Sequence, residues 1–431
     1  MSEPSGFALV GPRSRIEGRM RVPASKSLTN RALVAAAVCG GSRIVNPLLC
    51  DDTRFLSEAL SQAGWQVTIE EGAIRLGPRQ AGQDRTKVFL GGSGTGSRFI
   101  LALLAASPGR YLVDGTPRLR QRPMGPLLEA LETLGGCVRA AHGGFLPAEV
   151  DGCTMVGGET TIRPQVSSQF VSALVLAAPL FDRGLELHVA GPLPSAPYLD
   201  LTVDVLRSFR YELSVSDDRR EWRLAGSAAG ADEYLVEGDW SAAAFPMAAA
   251  AVAGGVVTIG PLERGSRQGD RVVAEVLERA GVEVRWRASE LEIRGPVRRP
   301  IVADLSHCPD TFPALAAVAA CRAPGSRLTG LEHLAHKESH RLRVMAENLE
   351  DLGAVVRADG DDFEVVRPVV QIEERARSVQ AADDHRIAMA MAVTALYAGP
   401  LDLDDPSCVG KSFPDFWTEW AQLIGGGVVA G

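Results

Sequence analysis

The stretch VVAEVLERAGVEV (272–284) decides the fold, because close copies of it recur along the whole chain. The others are FLSEALSQAGWQV (55–67), PLLEALETLGGCV (126–138), LTVDVLRSFRYEL (201–213), VMAENLEDLGAVV (344–356) and the more degenerate FWTEWAQLIGGGV (416–428). Each reads as an amphipathic helix that ends abruptly and hands over to a β-rich segment. The residues just past the helix, at 64, 135, 210, 281, 353 and 425, are spaced 71, 75, 71, 72 and 72 apart. Spacing that even marks an internal repeat.

A second phrase precedes each copy. It is an Ala-rich helix running into a short apolar strand, as in RALVAAAVCGGSRIV (31–45), AAAFPMAAAAVAGGVVTI (242–259) and RIAMAMAVTALYAGPLDL (386–403). Helices that are apolar all round and rich in small residues belong in a core. The reading is an α/β protein of six helix–strand–helix–strand–strand units. Cores stop growing beyond about 250–300 residues, so three units in each of two domains is favoured over a solenoid. The domains are expected at 23–237 and at 1–22 plus 238–431. Residues 1–22 read as a strand completing the second domain.

Composition narrows the function classes. The chain has 431 residues, 46% apolar and 23% charged, with a formal net charge of −8. An acidic chain of this kind is not expected to bind nucleic acid. Its most apolar run, Ala248 to Ile259, is short of the roughly 20 residues that a membrane span needs. Seven scattered cysteines without a Cys-x-x-Cys pair suit a reducing compartment and offer no zinc site. The N-terminal stretch lacks the apolar segment of a signal peptide, so a cytoplasmic location is expected.

Charged and hydroxyl residues collect where the helices begin. The Ala-rich helices open at Lys26-Ser27 with Arg31, Ser93-Gly94-Thr95 with Arg98, Ser167-Ser168-Gln169, Asp239-Trp240-Ser241, Pro309-Asp310-Thr311 and Asp384-His385-Arg386. The amphipathic helices open near Asp51-Asp52, Arg118 to Arg122, Ser195 with Tyr198, Asp270, Lys337-Glu338 with Arg341, and Lys411-Ser412. Asp52, Ser241 and Asp270 read as ordinary N-caps. Cations are different: they oppose the helix dipole, so their recurrence here calls for a bound anion. The glycine run GGSGTGSR (91–98) could cradle phosphate or carboxylate, although it matches neither the P-loop nor the dinucleotide fingerprint. His336 and His340 are four apart, but the order His-Lys-Glu-Ser-His is not the zincin order, and Lys337 would repel a metal. No metal site is expected.

Together these phrases resemble the 5-enolpyruvylshikimate-3-phosphate synthase family. The resemblance rests on VPASKSLTNRALVAAA (22–37), LGGSGTGSRF (90–99), QRPMGPLLEAL (121–131), VSSQFVSALVLAAPL (166–180), VEGDWSAAAF (236–245), HKESHRL (336–342), DHRIAMAMA (384–392) and GKSFPDF (410–416). It implies two similar domains, each an inside-out α/β barrel of three units, with a cleft between them that closes on the substrates. It also implies transfer of the enolpyruvyl group of phosphoenolpyruvate to the 5-hydroxyl of shikimate 3-phosphate, by addition and elimination through a tetrahedral intermediate, with no cofactor. Both partners are small anions, and a monomer is expected.

Carried over by position, the resemblance assigns Lys26, Ser27, Arg31, Ser167, Ser168, Gln169, Ser195, Tyr198, Asp310, His333 and Lys337 to shikimate 3-phosphate. Phosphoenolpyruvate falls to Lys26, Gly94, Thr95, Arg122, Gln169, Arg341, Arg386 and Lys411. Asp310 is the candidate base at the acceptor hydroxyl and Glu338 the candidate proton donor to C3. Lys26 and Lys411 would stabilise developing charge. Gly92, Phe99, Ala196, His333 and His340 depart from the family pattern, which bears on acceptor affinity and inhibitor sensitivity. Three rivals stand beside this reading, one of them a homologue that transfers the enolpyruvyl group to a different cyclic acid. The sister transferase acting on UDP-N-acetylglucosamine carries Lys-Asn where Lys26-Ser27 stands, and a cysteine that residues 114–122 lack. A non-catalytic anion-binding homologue would not need Asp310 and Glu338.

Overall fold

The computed structural model describes residues 7–80, 85–141, 143–164, 167–226, 230–372 and 376–426. The last two residues of the sixth amphipathic phrase, 427 and 428, lie outside them. Contacts divide the chain into two compact units, Ala24–Glu237 and the segments flanking it. Each has its own apolar core.

The second repeat shows the unit most completely. Strand Thr86–Phe89 leads into helix Gly94–Ala105, strand Gly109–Asp114, helix Gly125–Thr133, and strands Cys137–Ala140 and Ala148–Gly152. The first two strands pair in parallel across the Ala-rich helix, and the closing pair adds on antiparallel. The unit is therefore strand–helix–strand–helix–strand–strand, one strand longer than the expected one. A parallel pair requires that leading strand, because a crossover helix must return to a neighbour already in the sheet.

Two leading strands are exchanged. Glu233–Leu235 lies at the end of the 24–237 unit and pairs in parallel with Ser42–Val45 of the first repeat. Ile16–Arg21, just before that repeat, pairs instead with Gly255–Gly260 of the fourth. The N-terminal segment thus supplies two strands rather than the single one expected. The other, Phe7–Leu9, pairs antiparallel with Leu401–Leu403 and fills the place of the hairpin in the sixth repeat, whose sheet has three strands.

The repeat marker has a conformational cause. Residues 64, 135, 210, 281, 353 and 425 all have positive φ, between 62° and 102°. Each follows the C-cap of an amphipathic helix. At Gly281 the amide donates to Glu278 C=O (2.9 Å) and the next, Val282, to Leu277 C=O (3.0 Å). This is the left-handed helix stop that glycine adopts without steric cost. Arg210 makes the same pair of bonds, to Arg207 from its own amide and to Leu206 from Tyr211.

The Ala-rich helices form the centre of each unit. Helix Trp240–Ala253 is buried at every position, and in His385–Ala398 every residue but Tyr397 is buried. The three in each unit touch one another, and the sheets lie outside them. Outer sheet faces carry charge ladders such as Arg43 with Glu70 and Glu233, and Glu292 with Arg287 and Arg294. Where both partners are exposed, pairs of this kind add little stability. The architecture leaves the N-terminal ends of the central helices, with the turns before them, as the place where polar residues gather.

Candidate active site

In the Ala24–Glu237 unit the central helices are Lys26–Val38, Gly94–Ala105 and Gln169–Ala177. Lys26 opens the first of these, nearly buried, with its ammonium 3.2 Å from Asp52 Oδ2. Asp52 is not the N-cap of its helix: that place belongs to Cys50, and the buried carboxylate serves Lys26. Arg31 is fully buried. Its guanidinium donates to Thr202 Oγ1 (2.8 Å), Ser27 C=O (2.9 Å), Tyr198 C=O (3.0 Å) and Ser172 Oγ (3.4 Å), and lies over the rings of Phe99 and Tyr198. These acceptors are all neutral. Burial without a counter-ion pulls Arg31 down to about 10, a charge held in place by hydrogen bonds and aromatic faces.

Around the glycine run, Ser93 caps its helix by accepting from the Gly96 amide (3.2 Å). Gln169 donates from Nε2 to Thr95 Oγ1 (2.9 Å) and accepts from Arg98. Arg122 packs against Gly94. Ser167 Oγ accepts from the Gln169 amide, and Ser168 Oγ donates to Ser195 C=O (3.2 Å). Ser195 has φ 56°, a strained value for a residue with a Cβ.

The second unit gathers a denser set. Asp310, in the short turn Pro309–Thr311, accepts from Arg341 Nη1 (2.7 Å), with Arg386 Nη2 at 3.1 Å and Lys337 Nζ at 3.4 Å. Arg341 is itself fully buried. It donates from Nε to Asp384 Oδ2 (2.7 Å) and from Nη2 to Glu338 Oε2 (2.6 Å). Asp384 also caps helix His385–Ala398 by accepting from the Arg386 amide, and it accepts from Ser339. Burial works to raise the Asp310 carboxyl, but Arg386, Lys337 and Arg341 outweigh it and hold it well below the usual carboxylate range. Arg341 moves the other way. Burial would lower it, yet Asp384, Glu338 and Asp310 keep it more firmly charged than a free arginine.

These contacts correct two expectations. The cations at helix starts were expected to require an outside anion. Instead Asp52, Asp310, Glu338 and Asp384 balance Lys26, Arg341, Lys337 and Arg386 from within. Of the cations predicted for the site, Lys26, Arg341 and Arg386 stand in the first turn of a helix. Lys337, Lys411 and Arg122 follow or end short 3₁₀ turns, several residues before the next helix. Ser241 is not a cap either, since Asp239 accepts from the Ala242 amide (2.9 Å) and fills that role.

Other predicted residues fall nearby. Burial, then the Lys337 ammonium, push His333 down to about 4, so the imidazole is neutral at pH 7. Lys411 lies close enough to Asp383 to offset part of the rise that burial imposes on that carboxyl. His340 Nδ1 accepts from the Arg343 amide at 3.4 Å and caps helix Arg341–Asp351, so it is occupied structurally. Among the described residues no three His, Cys, Asp or Glu side chains are placed to hold a metal ion. No described helix is long and apolar enough to cross a membrane. Asp384 and Arg98 were noted at helix starts but given no role in these clusters, and Ser339 was missed. The only signal was their place next to cationic positions in the same phrases.

A family model described as EPSP synthase (3-phosphoshikimate 1-carboxyvinyltransferase) matches residues 10–420. The chain is 36% identical over 424 residues to a 3-phosphoshikimate 1-carboxyvinyltransferase of Syntrophobacter fumaroxidans, covering 96% of this chain and 99% of that one. It is 32% identical over 423 residues to the protein of the same name from Colwellia psychrerythraea, covering 96% and 98%. A solved EPSP synthase from Acinetobacter baumannii shares the fold, with TM-score 0.76 at 24% identity over 98% of each chain. A match running through both units and every phrase that carries the resemblance, from 22–37 to 410–416, assigns the chain: it belongs to the EPSP synthase (3-phosphoshikimate 1-carboxyvinyltransferase) family.

Proposed function

We infer that this protein is a 3-phosphoshikimate 1-carboxyvinyltransferase of the shikimate pathway, and so of aromatic amino acid biosynthesis. The observation that carries the reading is the family match across residues 10–420. It transfers the enolpyruvyl group of phosphoenolpyruvate to the 5-hydroxyl of shikimate 3-phosphate and releases inorganic phosphate.

The residue roles are our proposal, supported by the two clusters. In the addition step the acceptor hydroxyl gives its proton to Asp310 as its oxygen bonds to C2 of phosphoenolpyruvate, while Glu338, which takes up a proton from solvent once substrate draws Arg341 away from it, delivers that proton to C3. The tetrahedral adduct then loses a proton from C3 and expels phosphate, leaving the enol ether. Asp310 ringed by three cations is ionised but weakly basic. Anionic substrate that takes over Arg341, Arg386 and Lys337 removes the groups that hold its basicity down, so the base strengthens as the substrate arrives. Lys26, Ser27, Arg31, Ser167, Ser168, Gln169, Ser195, Tyr198, His333 and Lys337 would receive shikimate 3-phosphate. Gly94, Thr95, Arg122, Arg341, Arg386 and Lys411, with Lys26 and Gln169, would receive phosphoenolpyruvate.

We also propose a cytoplasmic monomer, in keeping with seven free cysteines. Phosphate release on mixing the two substrates tests the function. Release with both and none with either alone is expected. Binding without release would favour the non-catalytic homologue.

A further inference from the structure

Ser241 is the second residue of helix Trp240–Ala253, close enough to its start to be read from sequence as the capping hydroxyl. Here Asp239 has taken that work, and the Ser241 side chain turns to a neighbouring helix. Its Oγ accepts from Arg386 Nη2 at 2.7 Å, and both residues are more than nine-tenths buried. The same Nη2 faces Asp310 Oδ2 at 3.1 Å. One nitrogen of Arg386 is therefore held between a neutral hydroxyl and a carboxylate.

The two partners differ in kind. Asp310 is an anion, and any anionic ligand competes with it directly for the guanidinium. Ser241 is neutral and sits on a helix buried at every position, so an arriving anion neither displaces nor repels it. A hydroxyl that accepts one hydrogen bond also keeps its own O–H to donate.

We propose that Ser241 is a positioning residue for Arg386: it is the fixed partner that keeps the guanidinium aimed while Asp310 is exchanged for an anionic group of phosphoenolpyruvate. The proposal rests on the reading that phosphoenolpyruvate is the substrate. Without the hydroxyl, the pull of the Asp310 carboxylate on that nitrogen is no longer opposed by Ser241, and the guanidinium shifts toward the carboxylate. Phosphoenolpyruvate then meets a misplaced cation. An arginine clamp acts through its geometry, so the loss falls on the substrate it holds and not on the acceptor.

The experiment compares wild type with Ser241→Ala in phosphate release, varying each substrate in turn, and checks the fold by thermal unfolding. KM for phosphoenolpyruvate should rise about five- to tenfold, with KM for shikimate 3-phosphate within about twofold and an unfolding midpoint close to wild type. Should Ser241→Ala not fold, Ser241→Cys keeps the volume with a weaker acceptor and carries the same comparison. An unchanged KM for phosphoenolpyruvate in active, folded variant overturns the inference. So does an equal rise in both KM values, which marks a packing role. Wild type that releases no phosphate instead defeats the functional reading on which the inference stands.

Discussion

The guanidinium of Arg122 lies directly against the backbone of Gly94: a methyl group added at Gly94 would sit 2.2 Å from Arg122 Nη1 and 2.4 Å from its Cζ. Glycine is needed for this approach and not for its backbone freedom, since Gly94 opens an ordinary helix. The obstructing atoms are the far end of a flexible side chain, so Gly94→Ala should fold normally and push Arg122 aside. We expect its unfolding midpoint to match wild type while KM for phosphoenolpyruvate rises about tenfold or more. Steady-state kinetics with wild-type KM values would show that Arg122 does not need that seat.

Asp310→Ala and Glu338→Ala should each lower kcat by at least about 10². The two should differ from a loss of binding, because Asp310 competes with substrate for Lys337, Arg341 and Arg386. Removing it leaves KM for phosphoenolpyruvate unchanged or lower. Near wild-type kcat in either variant would remove that residue from acid–base chemistry.

His333 carries a pH dependence whose sign can be worked out. In the unfolded chain it titrates near the ordinary value of about 6.5, whereas in the fold burial and Lys337 lower it to about 4. Between those values the unfolded chain binds the proton that the folded chain resists, so stability increases with pH. The protein has the full stability above about pH 6.5 and loses some as pH falls toward 4. Allowing for partial exposure, the loss is on the order of 1–2 kcal/mol. His333→Asn cannot titrate and should lose less between pH 7.5 and pH 5 in urea unfolding. Equal losses would assign the dependence to other groups.

Arg210 is the one repeat marker that is not glycine, and its φ of 62° costs about 1 kcal/mol or more for a residue with a Cβ. Its side chain is exposed, so little packing is at stake. Arg210→Gly relieves the strain and returns some entropy to the unfolded chain. A net gain of about 0.5–1 kcal/mol in denaturant unfolding is expected, with kinetics unchanged. A loss of stability would mean that the Arg210 side chain makes a contribution the backbone argument leaves out.

The repeat was legible because its marker is a backbone requirement. Five glycines and Arg210 stand where the chain must turn left-handed, and side-chain chemistry reports that directly. The leading strands were not legible. Glu233–Leu235, Val302–Asp304 and Arg377–Val379 are three residues long, too short for alternation to register, and the partner of the first lies at the far end of its unit, in Ser42–Val45. Within the clusters, the cations drew notice by opposing a helix dipole. Asp310 and Glu338 drew notice as acid–base candidates but not as counter-ions, and Asp52 drew none, because in sequence it looks like any helix-start carboxylate. Ser241 was misread for the same reason: only the contact with Arg386 separates an anchor from a cap.

The exchange of leading strands also sets a timetable for synthesis. Residues 24–237 contain all the strands of their own sheets, including Glu233–Leu235, and can finish folding as they leave the ribosome. Ile16–Arg21 emerges before them, but its partner Gly255–Gly260 comes more than two hundred residues later. Phe7–Leu9 waits still longer, for Leu401–Leu403. At bacterial or eukaryotic elongation rates of about 5–20 residues per second, Phe7–Leu9 spends tens of seconds without a place in any sheet. Phe7–Leu9 is thus translated ahead of every other strand of its unit and installed only when Leu401–Leu403 arrives.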